Sequence, residues 1–281
     1  MKKVVFVLVV ALVAACSGES PCGEPQGTVA VKFSVEGDFT VSTYGFTRAL
    51  EADGKAMTDV WVFDYVGGEL LQQIHQVSTD EDFGQPTMRL ALGEHHLYFV
   101  ASRGGSPVTD TDEQTITWDT VRDTFWKEIV MNVTARSGAG QSVVLDREVT
   151  KLKIDITDEV PAGCASVAIE PDVWYYGMDY TTGSAVAQQR TQRTVSVPAS
   201  YAGSTDLSVS IFGFSDCEEW RTDVAIVAKD SDGKTIGHTN VESVPMMRNR
   251  VTECSGPLFS GDGVMLMTLN DEWLDTVTER W

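Results

Sequence analysis

The residue in the most chemically specific setting is Cys16. It ends the run MKKVVFVLVVALVAAC, in which Lys2 and Lys3 precede an apolar stretch from Val4 to Val13 and then Ala14 and Ala15. Basic, apolar and small residues in that order predict a cleaved export signal over residues 1–15. The apolar run is too short for a membrane span of about 20 residues. Val13-Ala14-Ala15-Cys16 resembles the bacterial lipobox, so the Cys16 thiol is expected to carry a diacylglycerol and become the first residue after cleavage. Residues 16–26, rich in Ser, Gly, Pro and Glu, read as a flexible tether behind that lipid.

Export makes disulfides chemically possible. Four further cysteines remain, Cys22, Cys164, Cys217 and Cys254. They allow three pairings, between which the spacing does not choose, and no C-x-x-C occurs. Any of them left unpaired would serve as a small buried apolar residue. His95 and His96 are adjacent on a strand-like segment, so they face opposite ways and cannot share a metal. Asp230, Asp232 and Gly233 hold part of a calcium-loop pattern, but its other ligands and closing Glu are absent, and a tight hairpin turn is expected instead. No nucleophile elbow, phosphate-cradling loop or H-E-x-x-H is present. With 41 Asp and Glu in the chain, a nearby pair of carboxylates says little about glycoside hydrolysis. The sequence thus points to no enzyme, cofactor or metal. Removing residues 1–15 takes away two lysines and no acid, which moves the formal net charge from −20 to −22. Such a charge argues against nucleic acid and against broad electrostatic attachment to anionic lipid.

The elements that must carry these residues are mostly strands. In TVAVKFSVE, Val29, Val31, Phe33 and Val35 alternate with polar or small neighbours, the pattern of a half-buried strand. DVWVFDYV, residues 59–66, is apolar on both faces and predicts a doubly covered central strand. Gly67-Gly68 supplies a hairpin turn into ELLQQIHQVS. Two more strands are expected around a turn at Gly93-Glu94. Residues 104–118 and 176–192 read as loops. Val121, Phe125 and Ile129 recur every four residues, which predicts a short helix over 118–130. Beyond residue 149, Leu152, Ile154 and Ile156 face one way and Lys151, Lys153 and Asp155 the other. Further strands are expected near 165–170, 193–198, 206–214, 222–229, 235–244, 249–254 and 263–269. Short strands and frequent turns in each half predict an all-β chain of two sandwiches, over residues 27–145 and 146–281. Between the first two strand patterns lies GFTRALEADGK, a polar gap containing Arg48 and Ala49.

Four stretches, taken in order, resemble the fimbrillin family of type V pili and its lipid-anchored relatives. They are TRALEADGKAMTDVWVFDYVGGELLQQ, LGEHHLYFVASRG, LDREVTKLKIDITDEVP and VPMMRNRVTECSGPLFSG followed by MLMTLNDEWLD. In the third, Arg147, Val149, Lys151, Leu152 and Ile154 fit the opening of the family's second domain. The resemblance implies two tandem transthyretin-like β-sandwich domains and assembly by strand exchange. It implies cleavage after Arg48, so that Ala49 begins the mature subunit and the strand bearing Val29, Val31, Phe33 and Val35 is lost. A neighbour's C-terminal strand would fill the groove. The donor segment here would lie in 263–281, with Val264, Leu266 and Leu269 among its apolar side chains.

Cutting at Arg48 would also release the protein from its lipid, whereas an anchor subunit must keep both lipid and first strand. The expected function is therefore a stalk or anchor subunit of a surface fimbria, held at the outer membrane by its lipid and partnered by other fimbrial subunits. The alternative is a surface lipoprotein that binds a glycan or host protein through loops 104–118 and 176–192.

Overall fold

The computed structural model describes residues 28–37, 57–138, 140–215, 219–261 and 264–270, and among them the chain is all-β. The first half supplies β1 (Val29–Gly37), β2 (Asp59–Val66), β3 (Glu69–Val77), β4 (Thr87–Leu90), β5 (Gly93–Ser102), β6 (Pro107–Asp110), β7 (Thr115–Trp118), β8 (Thr124–Val133) and β9 (Gln141–Arg147). The second supplies β10 (Val149–Ile156), β11 (Cys164–Pro171), β12 (Trp174–Asp179), β13 (Ala185–Gln189), β14 (Arg193–Ser196), β15 (Leu207–Phe214), β16 (Trp220–Asp230), β17 (Thr235–Met246), β18 (Val251–Gly256) and β19 (Leu266–Asn270).

A seven-stranded sheet in the order β3-β2-β5-β8-β9-β1-β4 curls around one apolar cluster. Alternation explains how β2 serves two cores at once. Val60 and Val62 face this cluster, while Trp61, Phe63 and Tyr65 face a second, aromatic one. The later strands form two four-stranded sheets, β15-β10-β18-β19 and β14-β11-β16-β17, which close on a third cluster containing Leu152, Ile154, Val167, Ile169 and Ile226. A last sheet, β13-β12-β7-β6, joins one hairpin from each half and contributes Ile116, Trp118 and Met178 to the aromatic cluster. The all-β class and the turns at Gly67-Gly68 and after Asp230 are as expected; Gly67 and Gly68 sit at φ 61° and 89°.

The helix over 118–130 does not form. Most of that segment is β8, paired with β5 from Gly93↔Val133 to Ser102↔Thr124. A spacing of four is even, so Phe125 and Ile129 share a face on a strand as well as on a helix. That strand face also holds Val133, and all three pack on the first cluster. The only helical turn among the described residues is a 3-10 turn, Ala199–Tyr201, in the second half. The two predicted loops instead contain the hairpins β6–β7 and β12–β13. They were missed because their strands are short and mostly half-buried. β4 does not turn back on β5; it pairs with β1. Lys151 and Lys153 face away from Leu152 as expected, yet that face is covered too: Lys151 Nζ lies 5.0 Å from the Phe212 ring centre and Lys153 Nζ 2.6 Å from Asp155.

Candidate functional site

β1 is inserted between two strands. It runs antiparallel to β4 from Val29↔Leu90 to Lys32↔Thr87 and parallel to β9 from Phe33↔Gln141 to Gly37↔Leu145. Beyond β4, the Phe33 and Val35 N–H groups donate to the carbonyls of Pro86 and Gly84, both at 2.9 Å. Val31, Phe33 and Val35 are fully buried and Val29 partly so. Phe33 meets Phe99 edge to face at a centroid distance of 5.2 Å. Burial of each such side chain contributes about 1.5–3 kcal/mol. Taking β1 away would bare an apolar trough and a row of unpaired backbone groups on β9 and the β4 segment.

One wall of that trough is held by a buried polar network. Asp64 of β2 contacts His95 Nδ1 at 2.6 Å, and His95 Nε2 lies 3.0 Å from the Ala91 carbonyl. Gln72 Nε2 donates to Asp64 at 2.9 Å and to the Arg89 carbonyl at 2.8 Å. Two side-chain contacts thus fix carbonyls at the end of β4, so His95 has a positioning role that sequence reading did not find. His96, on the opposite face as expected, pairs with Glu128 at 2.9 Å.

The expected donor segment is placed differently. β19 is an edge strand, antiparallel to β18 from Val251↔Asn270 to Ser255↔Leu266. Leu266 is 74% exposed and Val264 82%, while Leu269 is half-buried. Among the described residues of the segment, Met265 is the one that joins the core cluster. It lies so close above Gly256 that a Cβ there would sit 2.9 Å from the Met265 Cα. Just before this arm, Asp158 accepts hydrogen bonds from the N–H groups of Leu258, Phe259 and Ser260 at 2.7–2.9 Å. Burial works to raise the Asp158 carboxyl, but these donors outweigh it and hold it below the usual aspartate value.

Cys164 and Cys254 are buried free thiols in the second sandwich. Desolvation raises both, and it pushes Cys254, beside Glu253, up to about 12. Cys16, Cys22, Cys217, Arg48 and Ala49 lie outside the described residues. Asp230 caps its own turn, accepting the N–H groups of Asp232 and Lys234. No group of three or more His, Cys, Asp or Glu side chains is disposed to hold a metal among the described residues. A further buried network escaped the sequence reading. Asp123 receives a two-point contact from Arg147 at 2.7 and 3.0 Å, and Arg248 bridges Glu148 and the Gly183 carbonyl. It ties β9 and β10 to the turn after β12.

No family model and no curated protein matches the chain. Solved structures do. A candidate adhesin from Bacteroides ovatus superposes with a TM-score of 0.51 at 11% identity, over 89% of this chain and 96% of that one. A fimbrial assembly protein from Parabacteroides distasonis gives 0.51 at 10% identity, over 86% and 99%. A candidate polysaccharide-binding protein from Bacteroides thetaiotaomicron gives 0.50 at 10%, over 89% and 99%. At these identities the likeness concerns the fold: this chain has the β-sandwich fold of fimbrial and adhesin proteins, the fold that its fimbrillin-like stretches implied.

Proposed function

We propose that this protein is a structural subunit of a surface fimbria, acting as stalk or anchor and joined to its neighbours by strand addition. The observation that carries the reading is the setting of β1. Its apolar row fills a trough, it pairs on both sides, and in sequence it is linked onward through the polar segment that contains Arg48. Strand addition satisfies both the apolar row and the ladder of such a trough. β19 supports the complementary role, since it is an edge strand with exposed apolar side chains. Lipidation of Cys16 would hold the protein at the outer membrane, and residues 27–145 and 146–281 would form its two domains. The test is the mature N-terminus of material purified from native membranes and from fibres. Ala49 at the start marks a processed stalk subunit, and a lipidated Cys16 retained in fibres marks an anchor. If neither form enters a higher-order assembly, the proposal fails.

A second reading, binding of a glycan by the hairpin end of the molecule, is favoured by one observation. Both segments assigned to ligand-binding loops, 104–118 and 176–192, place turns on the same aromatic cleft. One of the superposing structures is described as a polysaccharide-binding protein.

A further inference from the structure

Three hairpin turns meet over the aromatic cluster. Gly68 lies in the β2–β3 turn, Gln114 in the β6–β7 turn and Thr181 in the β12–β13 turn; with Tyr65, His96 and Tyr98 they line an open cleft of about 260 Å³. The floor is rigid. Tyr180 stacks on Phe63 with centroids 3.8 Å apart, its hydroxyl lies 3.0 Å from that of Tyr65, and Tyr65 meets Tyr98 edge to face at 5.6 Å.

The rim is polar in a particular way. Gln114 is held at φ 58° and its carbonyl accepts the Tyr180 N–H at 3.0 Å. A non-glycine residue in the left-handed region costs free energy, so this turn is fixed by its surroundings. The Gln114 side-chain amide, by contrast, makes no hydrogen bond among the described residues. It offers the cleft one acceptor and two donors. Thr181 donates its hydroxyl to Asp179 at 2.7 Å and keeps acceptor capacity, while Glu128, behind the lining, holds His96 at 2.9 Å. Burial and then Glu128 push the Tyr98 phenol up, so its hydroxyl stays neutral. Asp179 adds to the negative field on Tyr98 and Tyr180, as Asp110 does on Tyr180.

We propose that this cleft binds a neutral sugar, a hexose or N-acetylhexosamine unit of a surface glycan, with one face of the ring against Tyr98 and its hydroxyls on Gln114 and Thr181. An aromatic wall beside mixed donors and acceptors suits a ring that is apolar on its C–H face and polyhydroxylated at its edge. The surrounding carboxylates repel anionic sugars. The size of the cleft suits one or two rings. The inference rests on the second reading above and is independent of strand addition.

The test uses the full chain and saturation-transfer NMR with methyl glycosides of glucose, galactose, mannose and N-acetylglucosamine, and the methyl glycoside of N-acetylneuraminic acid as the anionic probe. At least one neutral glycoside should bind saturably and the sialic acid glycoside should not. Gln114→Asn keeps a residue that tolerates left-handed φ while withdrawing the amide. It should weaken binding about tenfold, as should Tyr98→Ala through loss of the ring. The unfolding midpoint of Gln114→Asn should match the parent's, which keeps the test valid even if Tyr98→Ala folds poorly. Three results would overturn the proposal: no neutral glycoside binds, the sialic acid glycoside binds equally well, or Gln114→Asn binds like the parent. Fibre formation, read separately, reports on strand addition alone.

Discussion

β1 and β19 are both rich in apolar side chains and use them in opposite ways. β1 presses Val31, Phe33 and Val35 into a closed core and pairs on both edges. Among the described residues β19 pairs on one edge only, and it turns Leu266 outward, with Met267 also substantially exposed. The difference lies in what stands beneath each strand. Under β1 are the inward faces of β2 and β5, which bring Val60, Val62, Leu97 and Phe99 into contact range. Among the described residues β19 sits at the end of its sheet, and only the preceding Met265 joins the core cluster. A strand like β1 completes a structure, whereas one like β19 retains apolar surface and a free ladder edge, the two things a neighbouring chain could use.

The largest effect should come from the buried strand. Phe33→Ala removes a fully buried ring that meets Phe99, and in a core this rigid the vacated space should not collapse. A loss of about 3–5 kcal/mol is expected from chemical denaturation. A loss below about 1 kcal/mol would mean that β1 already behaves as a detachable strand within the single chain, and the contrast with β19 would disappear.

Much of this contrast was legible in the sequence, but unevenly. Val29, Val31, Phe33 and Val35 announced both their strand and its buried face because period-two alternation has a single meaning on a strand. The core positions of β2 were legible for the same reason. Phe125 and Ile129 were misread because a separation of four fits two geometries, and only pairing with β5 selects between them. The β12–β13 hairpin was invisible because its strands are short and mostly half-buried, and its pairing with β7, some 60 residues upstream, leaves no local pattern. The same distance effect hid the cleft, whose walls come from three turns, and the Asp64–His95 contact, which looked in sequence like a histidine at the end of a strand.

A smaller effect tests how firmly the arm bearing β19 is held at its root. The folded-state value of the Asp158 carboxyl is lowered, so the stability it contributes is present above the usual aspartate range and is lost as pH falls through the folded value. Water reaches this carboxylate, so Asp158→Asn should cost about 1 kcal/mol at neutral pH rather than the larger figure of a dry site. The gap between variant and parent should close on acidification, measured as urea midpoints across an acid pH series. Amide exchange at Leu258, Phe259 and Ser260 should accelerate in the variant. If the gap stays constant with pH, the clamp is not electrostatic.

The smallest effect on the monomer belongs to the strand with most left to offer. Leu266→Ser changes a side chain already 74% exposed, so folding stability should shift by no more than about 0.5 kcal/mol. Exposure of that degree leaves about three quarters of the leucine's surface still to be buried, and burial in a neighbour's trough would gain that transfer free energy. Leu266→Ser, made together with Val264→Ser, should therefore leave urea unfolding unchanged while fibre yield in native membranes falls several-fold. Unchanged fibres would mean that these side chains face solvent in the assembly too, and the donor role would then pass from β19 to residues 271–281 or be lost altogether.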